Sequence, residues 1–195
     1  MKKKSKALIS VGLVFIIAAL GIVGYNIFAT MRAKITSENT LQQLSKVDVN
    51  SETKKYPEYM LNPHIKMPVK NIDGLECIGT LYIPSLNLEF PVQNEWSLDH
   101  LRYTPCRYYG SVYLNNMIIC AHNFYYHFGR LKELSVGDEV IFIDTVKNEF
   151  KYKVSEVLVM DPYASKEMKT GNFGLTLFTC TLGGASRVTV RCEKL

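Results

Sequence analysis

Three side chains in this 195-residue chain have types and spacing that could do chemistry. The run Leu175-Thr176-Leu177-Phe178-Thr179-Cys180 alternates as a half-buried strand does and ends in a thiol. Thr181 and the Gly183-Gly184 pair give an open turn, and Arg187 starts the next apolar run, where a reversed strand would return beside Cys180. A free cysteine is ordinarily a small buried hydrophobe. Beside a fixed cation, however, a thiol can ionise, and the thiolate is its reactive form. Arginine is always charged and offers a planar fork of donors, which suits it to hold a carbonyl and the oxyanion formed when a thiolate attacks. His122 ends the apolar run Met117-Ile118-Ile119-Cys120-Ala121, so a strand end could project it into the same cleft as a proton donor and acceptor. His64 falls in a polar lead-in and His100 in a short helical stretch; His127, in an aromatic loop, is the reserve candidate.

The elements that must position these groups read as β. Ile78–Ile83 and Leu86–Phe90 alternate and stop at Pro84 and Pro91. Ser97–Tyr103 reads as a short helix, and Ser111–Leu114 and Met117–Ala121 as strands flanking an Asn-Asn turn. Phe128–Leu134 reads as a helical turn, and Glu139–Asp144 and Glu149–Met160 as strands around a Lys-Asn turn. Asp161–Gly174 is a loop with room for one helical turn, and Leu175–Cys180 and Arg187–Cys192 close the chain. Seven or eight short strands with few helices imply a small barrel or sandwich.

The N-terminus differs in kind. Ala7–Ala29 is almost unbroken apolar sequence, preceded by four lysines and followed by Arg32 and Lys34. At about 1.5 Å per residue it can cross a hydrocarbon core of roughly 30 Å. The denser positive cluster should stay inside, which puts the rest of the chain outside. The apolar run is long for a signal-peptide core and no A-x-A site follows it, so an uncleaved anchor is expected. The division is then 1–6 as cytoplasmic tail, 7–31 as transmembrane anchor, 32–75 as stalk and 76–195 as catalytic domain. The stalk carries Pro57, Pro63 and Pro68 and could start with a helix at Ser37–Lys46. Beyond residue 34 the chain has 17 basic against 18 acidic residues. The basicity therefore belongs to the N-terminus, and no nucleic-acid footprint is expected.

Five cysteines, Cys77, Cys106, Cys120, Cys180 and Cys192, are an odd set for an external domain and leave at least one thiol free within a chain. Cys106–Cys120 and Cys77–Cys192 pairs are both open on sequence alone. No C-x-x-C or zinc-type histidine pair is present, and no cofactor or metal is expected. The acidic group Glu133, Asp138 and Glu139 reads as a solvated face, so calcium dependence is not evident.

Ala121-His122-Asn123, Thr176-Leu177-Phe178-Thr179-Cys180 and the downstream Arg187 resemble the three signatures of the sortases. Ile78-Gly79-Thr80-Leu81-Tyr82-Ile83-Pro84, Phe90-Pro91-Val92 and the stretch from Phe128-Gly129-Arg130-Leu131 to Gly137-Asp138 are similar to further parts of that family. The resemblance covers about residues 76–195. It implies a mainly β, eight-stranded sortase-like barrel with short helices, preceded by one N-terminal transmembrane helix. It also implies an extracytoplasmic cysteine transpeptidase of mainly Gram-positive bacteria. Cys180 would attack a C-terminal sorting motif of a secreted protein to give a thioacyl-enzyme, and an amine of a peptidoglycan precursor or a pilin lysine would resolve it. His122 would move the protons, Arg187 would hold the oxyanion, and Thr179 would contact substrate. The short Asp161–Gly174 loop departs from class B members, which carry a long helical insertion there.

Two other readings compete. An L,D-transpeptidase-like cell-wall enzyme would carry its histidine close before the cysteine, whereas His122 lies far upstream. A non-catalytic membrane-tethered binding module would keep Cys180 buried or disulfide-bonded.

Overall fold

The computed structural model describes residues 2–46 and 56–195, with side chains from residue 9 onward. The lysine side chains of the expected tail, and residues 47–55 in the expected stalk, lie outside the described residues. Among the described residues three α-helices, α1 (Lys2–Ser45), α2 (Glu58–Leu61) and α3 (Ser165–Met168), accompany nine strands. The strands are β1 (Lys70–Ile72), β2 (Leu75–Ile83), β3 (Leu88–Gln93), β4 (Cys106–Tyr109), β5 (Met117–Cys120), β6 (Glu139–Asp144), β7 (Glu149–Met160), β8 (Leu175–Cys180) and β9 (Arg187–Lys194).

Eight strands close into a barrel in the order β2-β3-β4-β5-β8-β9-β7-β6, with β6 pairing back onto β2. The short β1 adds antiparallel to the start of β2, below the stretch that β6 uses. Alternation along each strand builds the inside. Phe150, Tyr152 and Val154 of β7 point inward while Glu149, Lys151 and Lys153 face water. Leu175 and Leu177 of β8, Val190 and Cys192 of β9, and Met117 and Ile119 of β5 join them in one continuous apolar core. Closure demands close approach at Gly79, where a Cβ would sit 2.2 Å from the Ile143 carbonyl oxygen. Only glycine lets β2 and β6 meet there.

One expected strand is corrected. Ser111–Leu114 is a turn, and the strand lies earlier, at Cys106–Tyr109. Gly110 has φ +68°, Asn115 has φ +54°, and the Asn116 side chain accepts from the Ser111 N–H at 3.1 Å. The Ser111 hydroxyl accepts from the Tyr113 N–H at 3.1 Å. Local side-chain acceptors thus outcompete a ladder, while Arg107-Tyr108-Tyr109 suits a pleated edge. The expected helix at Ser97–Tyr103 is only a 3-10 turn at His100–Arg102.

The long helix α1 changes character along its length. Residues 9–28 are exposed on every side, and the helix is long and apolar enough to cross a membrane. From Ala33 onward one face docks on the barrel: Ala33, Ser37, Thr40 and Leu44 are buried at the spacing of one helical stripe. Three of the four are small, which lets α1 lie close against the barrel along β3. Its last turn is held by Lys147, whose Nζ donates to the Leu44 carbonyl at 3.2 Å, and by Gln43 on Asp73. Past the undescribed residues, Tyr59 of α2 stacks on Tyr113 at 4.7 Å.

Candidate active site

β8 runs antiparallel to β9, and Cys180 and Arg187 are directly opposed partners in that ladder. Both are half-exposed. Inward-facing Leu177 of β8 and Val190 of β9 fix the parity, so Cys180 and Arg187 both lie on the outer face. The connecting turn is tight. Thr181 N–H donates to the Ser186 carbonyl at 2.9 Å, Ser186 N–H to Thr181 Oγ1 at 3.0 Å, and Gly184 N–H to the Thr181 carbonyl at 2.8 Å. Gly183 and Gly184 take φ +82° and +78°, a region that suits glycine. Arg187 donates from Nη1 to the carbonyls of Gly184 and Ser186, each at 3.0 Å. Both bonds use one nitrogen, so Nε and Nη2 meet no protein acceptor among the described residues.

β5 runs parallel to β8 with Cys120 opposite Phe178. Ala121 N–H continues the pairing to the Phe178 carbonyl at 3.3 Å. Two residues further on each strand, His122 and Cys180 emerge at the same level. Thr179 fastens this junction: its buried hydroxyl donates to the Ala121 carbonyl at 2.8 Å. Asn123 adds a second tie, Nδ2 donating to the Thr181 carbonyl at 3.3 Å, just past Cys180. The His122 ring stacks on Phe124 with centroids 4.8 Å apart. Burial, and secondarily the Arg102 guanidinium, lower its pKa from the ordinary histidine value.

His127 is placed otherwise. Its ring is fully buried against Phe90 and Phe124, at 5.9 and 5.7 Å. Neither ring nitrogen has a hydrogen-bond partner of ordinary geometry. Burial, then the proximity of His122, push its pKa down to about 4, against a small opposing influence of the Tyr103 backbone. It packs as a buried, neutral side chain, whereas Cys180 is half-exposed. Of the other histidines, His100 faces the Glu95 carbonyl through Nδ1 at 2.9 Å and His64 is exposed.

All five cysteines are unbonded. Cys180 is half-exposed, unlike the buried or bridged thiol that a non-catalytic module would carry, and the other four are buried. Cys106 and Cys120 are directly opposed on β4 and β5, whereas Cys192 belongs to the main core and Cys77 to a separate cluster with Leu44 and Ile72. Burial raises the Cys120 thiol to about 12, with Cys180 a minor contributor.

Several neighbours of the site were not anticipated from sequence. Tyr108 meets Phe178 edge-on at 5.3 Å, and Trp96 lies 5.7 Å from Tyr108. Lys169, just past α3, sits over Tyr109 at 4.5 Å. A cavity of about 430 Å³ opens between Asn94, Trp96, Arg107 and Tyr108. Arg107 holds its wall by donating to Asn94, from Nε to the carbonyl at 2.9 Å and from Nη2 to Oδ1 at 2.6 Å. The lone tryptophan and the paired tyrosines were the available signal, but only the β4 register shows that they neighbour β8. Among the described residues no three His, Cys, Asp or Glu side chains converge as metal ligands. Glu133 instead pairs with Arg130 at 3.0 Å, and Asp138 accepts from the Ser135 N–H at 2.8 Å.

Comparison with known proteins places the barrel. The sortase domain family model matches residues 81–195, more than half of the chain. Among solved structures, a sortase D5 transpeptidase of Clostridium perfringens superposes with a TM-score of 0.59 at 19% identity, over 85% of this chain and 99% of that one. A sortase C of Clostridium perfringens SM101 gives 0.56 at 22% identity, over 82% and 98%. Sortase C1 of GBS pilus island 1 gives 0.58 at 18% identity, over 83% and 91%. At these identities the superpositions speak for the barrel alone. No curated protein matches the chain. The match of the family model over the barrel, with the same barrel in the superposed structures, makes this chain a member of the sortase family of cysteine transpeptidases.

Proposed function

We propose that the chain is a membrane-anchored transpeptidase with Cys180 as nucleophile, His122 as proton carrier and Arg187 as oxyanion holder. The observation that carries this reading is the register of three strands. Cys180 opposes Arg187 across β8–β9, and His122 leaves β5 at the level of Cys180. The substrate is the C-terminal sorting motif of a secreted protein. The Cys180 S–H gives its proton to His122 as the sulfur attacks the backbone carbonyl carbon, and the oxyanion takes the free Nε and Nη2 donors of Arg187. The C–N bond then breaks while His122 gives its proton to the leaving amine. A thioester on Cys180 remains. An incoming amine, from a peptidoglycan precursor or a pilin lysine, attacks it, His122 takes the amine proton, and the C–S bond breaks to leave a new amide and a Cys180 thiolate that takes the proton back from His122.

The depressed pKa of His122 fits the second half of this cycle, since a neutral imidazole must be at hand when the acceptor amine arrives. Thr179 and Asn123 hold the strand and turn that carry the two reactive groups. The 7–31 segment serves as the anchor. The lysine-rich start stays in the cytoplasm, the barrel lies outside, and residues 32–75 lead from one to the other.

The test uses the full chain in detergent, a panel of sorting-motif peptides and several amine acceptors. Without acceptor, mass spectrometry should find the acyl fragment on the Cys180 peptide; with the matching amine, the ligated product should appear. Wild-type turnover by Cys180→Ala would overturn the mechanism.

A further inference from the structure

The docked half of α1 fixes which end of the barrel faces the membrane, a consequence that rests on the anchor reading above. Going back along the helix from Leu44, the contacts change in order. The last turn touches Asp73 and Lys147, in the β1–β2 and β6–β7 turns. Lys34 lies over the Tyr126 ring at 4.6 Å and Arg32 over Tyr103 at 5.6 Å. These two tyrosines belong to the site end: Tyr126 sits in the loop that follows His122, and Tyr103 follows Arg102, whose charge acts on His122. Tyr125 completes the rim, 5.2 Å from Tyr126 and under the Arg130 guanidinium at 5.4 Å. Tyr125 is 61% exposed and Tyr126 39%.

Distances decide what this rim meets. Phe28 is the last large apolar residue of the all-round exposed stretch. At 1.5 Å per residue, Arg32 stands about 6 Å beyond it and Lys34 about 9 Å. The headgroup layer on each side of a bilayer is roughly 5–8 Å thick. The β6–β7 turn, level with Leu44, is about 24 Å out. No free stalk intervenes, because the docked stripe begins at Ala33. Tyrosines topped by arginine and lysine are the side chains that settle at a membrane–water boundary, and the cations suit lipid phosphates.

We propose that Tyr103, Tyr125 and Tyr126, with Arg32, Lys34 and Arg130, form an interfacial surface that rests on the phospholipid headgroups, so that the active site opens beside the bilayer. The barrel is then not a head on a flexible stalk. It is held at one tilt, and both substrates must present their reacting groups within headgroup reach.

The test is depth-dependent quenching on the full chain in phosphatidylcholine–phosphatidylglycerol vesicles. In a Trp96→Phe background, a single tryptophan is introduced by Tyr125→Trp, by Tyr126→Trp or, as the distal control, by Val146→Trp in the β6–β7 turn. Circular dichroism checks each fold, and two rim positions guard against loss of one variant. Lipids brominated near the headgroup should quench the rim tryptophans about threefold more than the control, which stands some 15 Å farther out. Equal quenching at rim and control, or stronger quenching at Val146→Trp, overturns the proposal. A carbonate wash separates the two ideas. If the chain is stripped from the vesicles, the anchor reading falls and this surface with it. If the chain stays but the rim is unquenched, the surface alone falls.

Discussion

Two hairpins of the barrel, β6–β7 and β8–β9, solve the same geometric problem in opposite ways. The β6–β7 turn is knotted around one buried carboxylate. Asp144 Oδ1 accepts from the Val146 and Asn148 N–H groups at 3.0 and 2.9 Å, and Oδ2 from Asn148 Nδ2 at 2.7 Å and the Tyr113 hydroxyl at 2.8 Å. The β8–β9 turn contains no such side-chain anchor. It is closed by Thr181, Ser186 and two glycines, it leaves Leu182 97% exposed, and it keeps Cys180 and most of the Arg187 guanidinium unpaired. The difference teaches how the barrel divides its labour. One turn saturates its buried carboxylate and contributes stability; the other, on the proposed mechanism, holds its reactive groups at fixed spacing while leaving their bonding capacity for substrate.

Substitutions at the two turns should therefore separate activity from stability. The largest effect is expected at the open turn. Cys180→Ala should lower kcat/KM by roughly 10³-fold or more, and Arg187→Ala by about 10²–10³-fold, the usual cost of an oxyanion donor. Neither should move the thermal midpoint. Arg187→Lys should recover little, since a point charge does not replace the fork of donors. Peptide turnover beside thermal melts measures both, and a large fall in melting temperature for either alanine variant would break the contrast.

The mirror-image variant is Asp144→Ala. It leaves the Tyr113 hydroxyl and two backbone amides without their acceptor in a site that is 2% exposed. A loss of about 3 kcal/mol is expected, or a fall of roughly 6–12 °C in midpoint for a chain of this size. Activity per folded molecule should hold. Equal loss of activity and stability would mean that the two hairpins are coupled through the barrel.

What the sequence disclosed follows the same line. Strands with one wet and one dry face, such as Glu149–Met160 and Leu175–Cys180, announce themselves by alternation, and so did the thiol, the arginine and the histidine at strand ends. What stayed hidden depends on partners distant in sequence. The β4 strand was misplaced because Gly110, Ser111 and Asn116 compete locally with the ladder. The Trp96–Tyr108–Phe178 wall exists only through the β4–β5–β8 pairing. The docked face of α1 uses Ala33, Ser37 and Thr40, residues too small or polar to read as a core stripe.

The two histidines repeat the contrast on one loop. His127 is buried and neutral, with its pKa lowered to about 4, whereas an unfolded histidine titrates near 6.5. The unfolded chain therefore binds a proton first as pH falls. The stability that His127 contributes is complete above about pH 6.5 and is lost progressively down to about pH 4, to a total of about 3 kcal/mol. Thermal melts of the wild type between pH 7.5 and 4.5, compared with His127→Phe, should show a shallower slope in the variant, with turnover near wild type at neutral pH. His122→Ala should instead lose turnover, with a smaller flattening of the slope because burial lowers its pKa less than that of His127. If His127→Phe abolishes turnover and His122→Ala does not, the assignment of the proton carrier is inverted.

Thr179 gives the smallest effect and the finest distinction. A residue just before the proposed nucleophile is placed to contact substrate, yet its hydroxyl is spent on the Ala121 carbonyl, one residue before His122. On the proposed mechanism it would act through His122 by fixing where β5 ends relative to β8. Thr179→Val keeps the shape and deletes the bond, at a cost of about 1 kcal/mol in stability. A slight drift of His122 should lower kcat by about tenfold, because proton transfer depends on geometry within hydrogen-bond reach. KM should be unchanged, and Thr179→Ser should restore kcat because the hydroxyl returns. The opposite pattern, a raised KM with kcat intact, would make Thr179 a substrate contact. The open hairpin would then share its binding work with the strand that supports it.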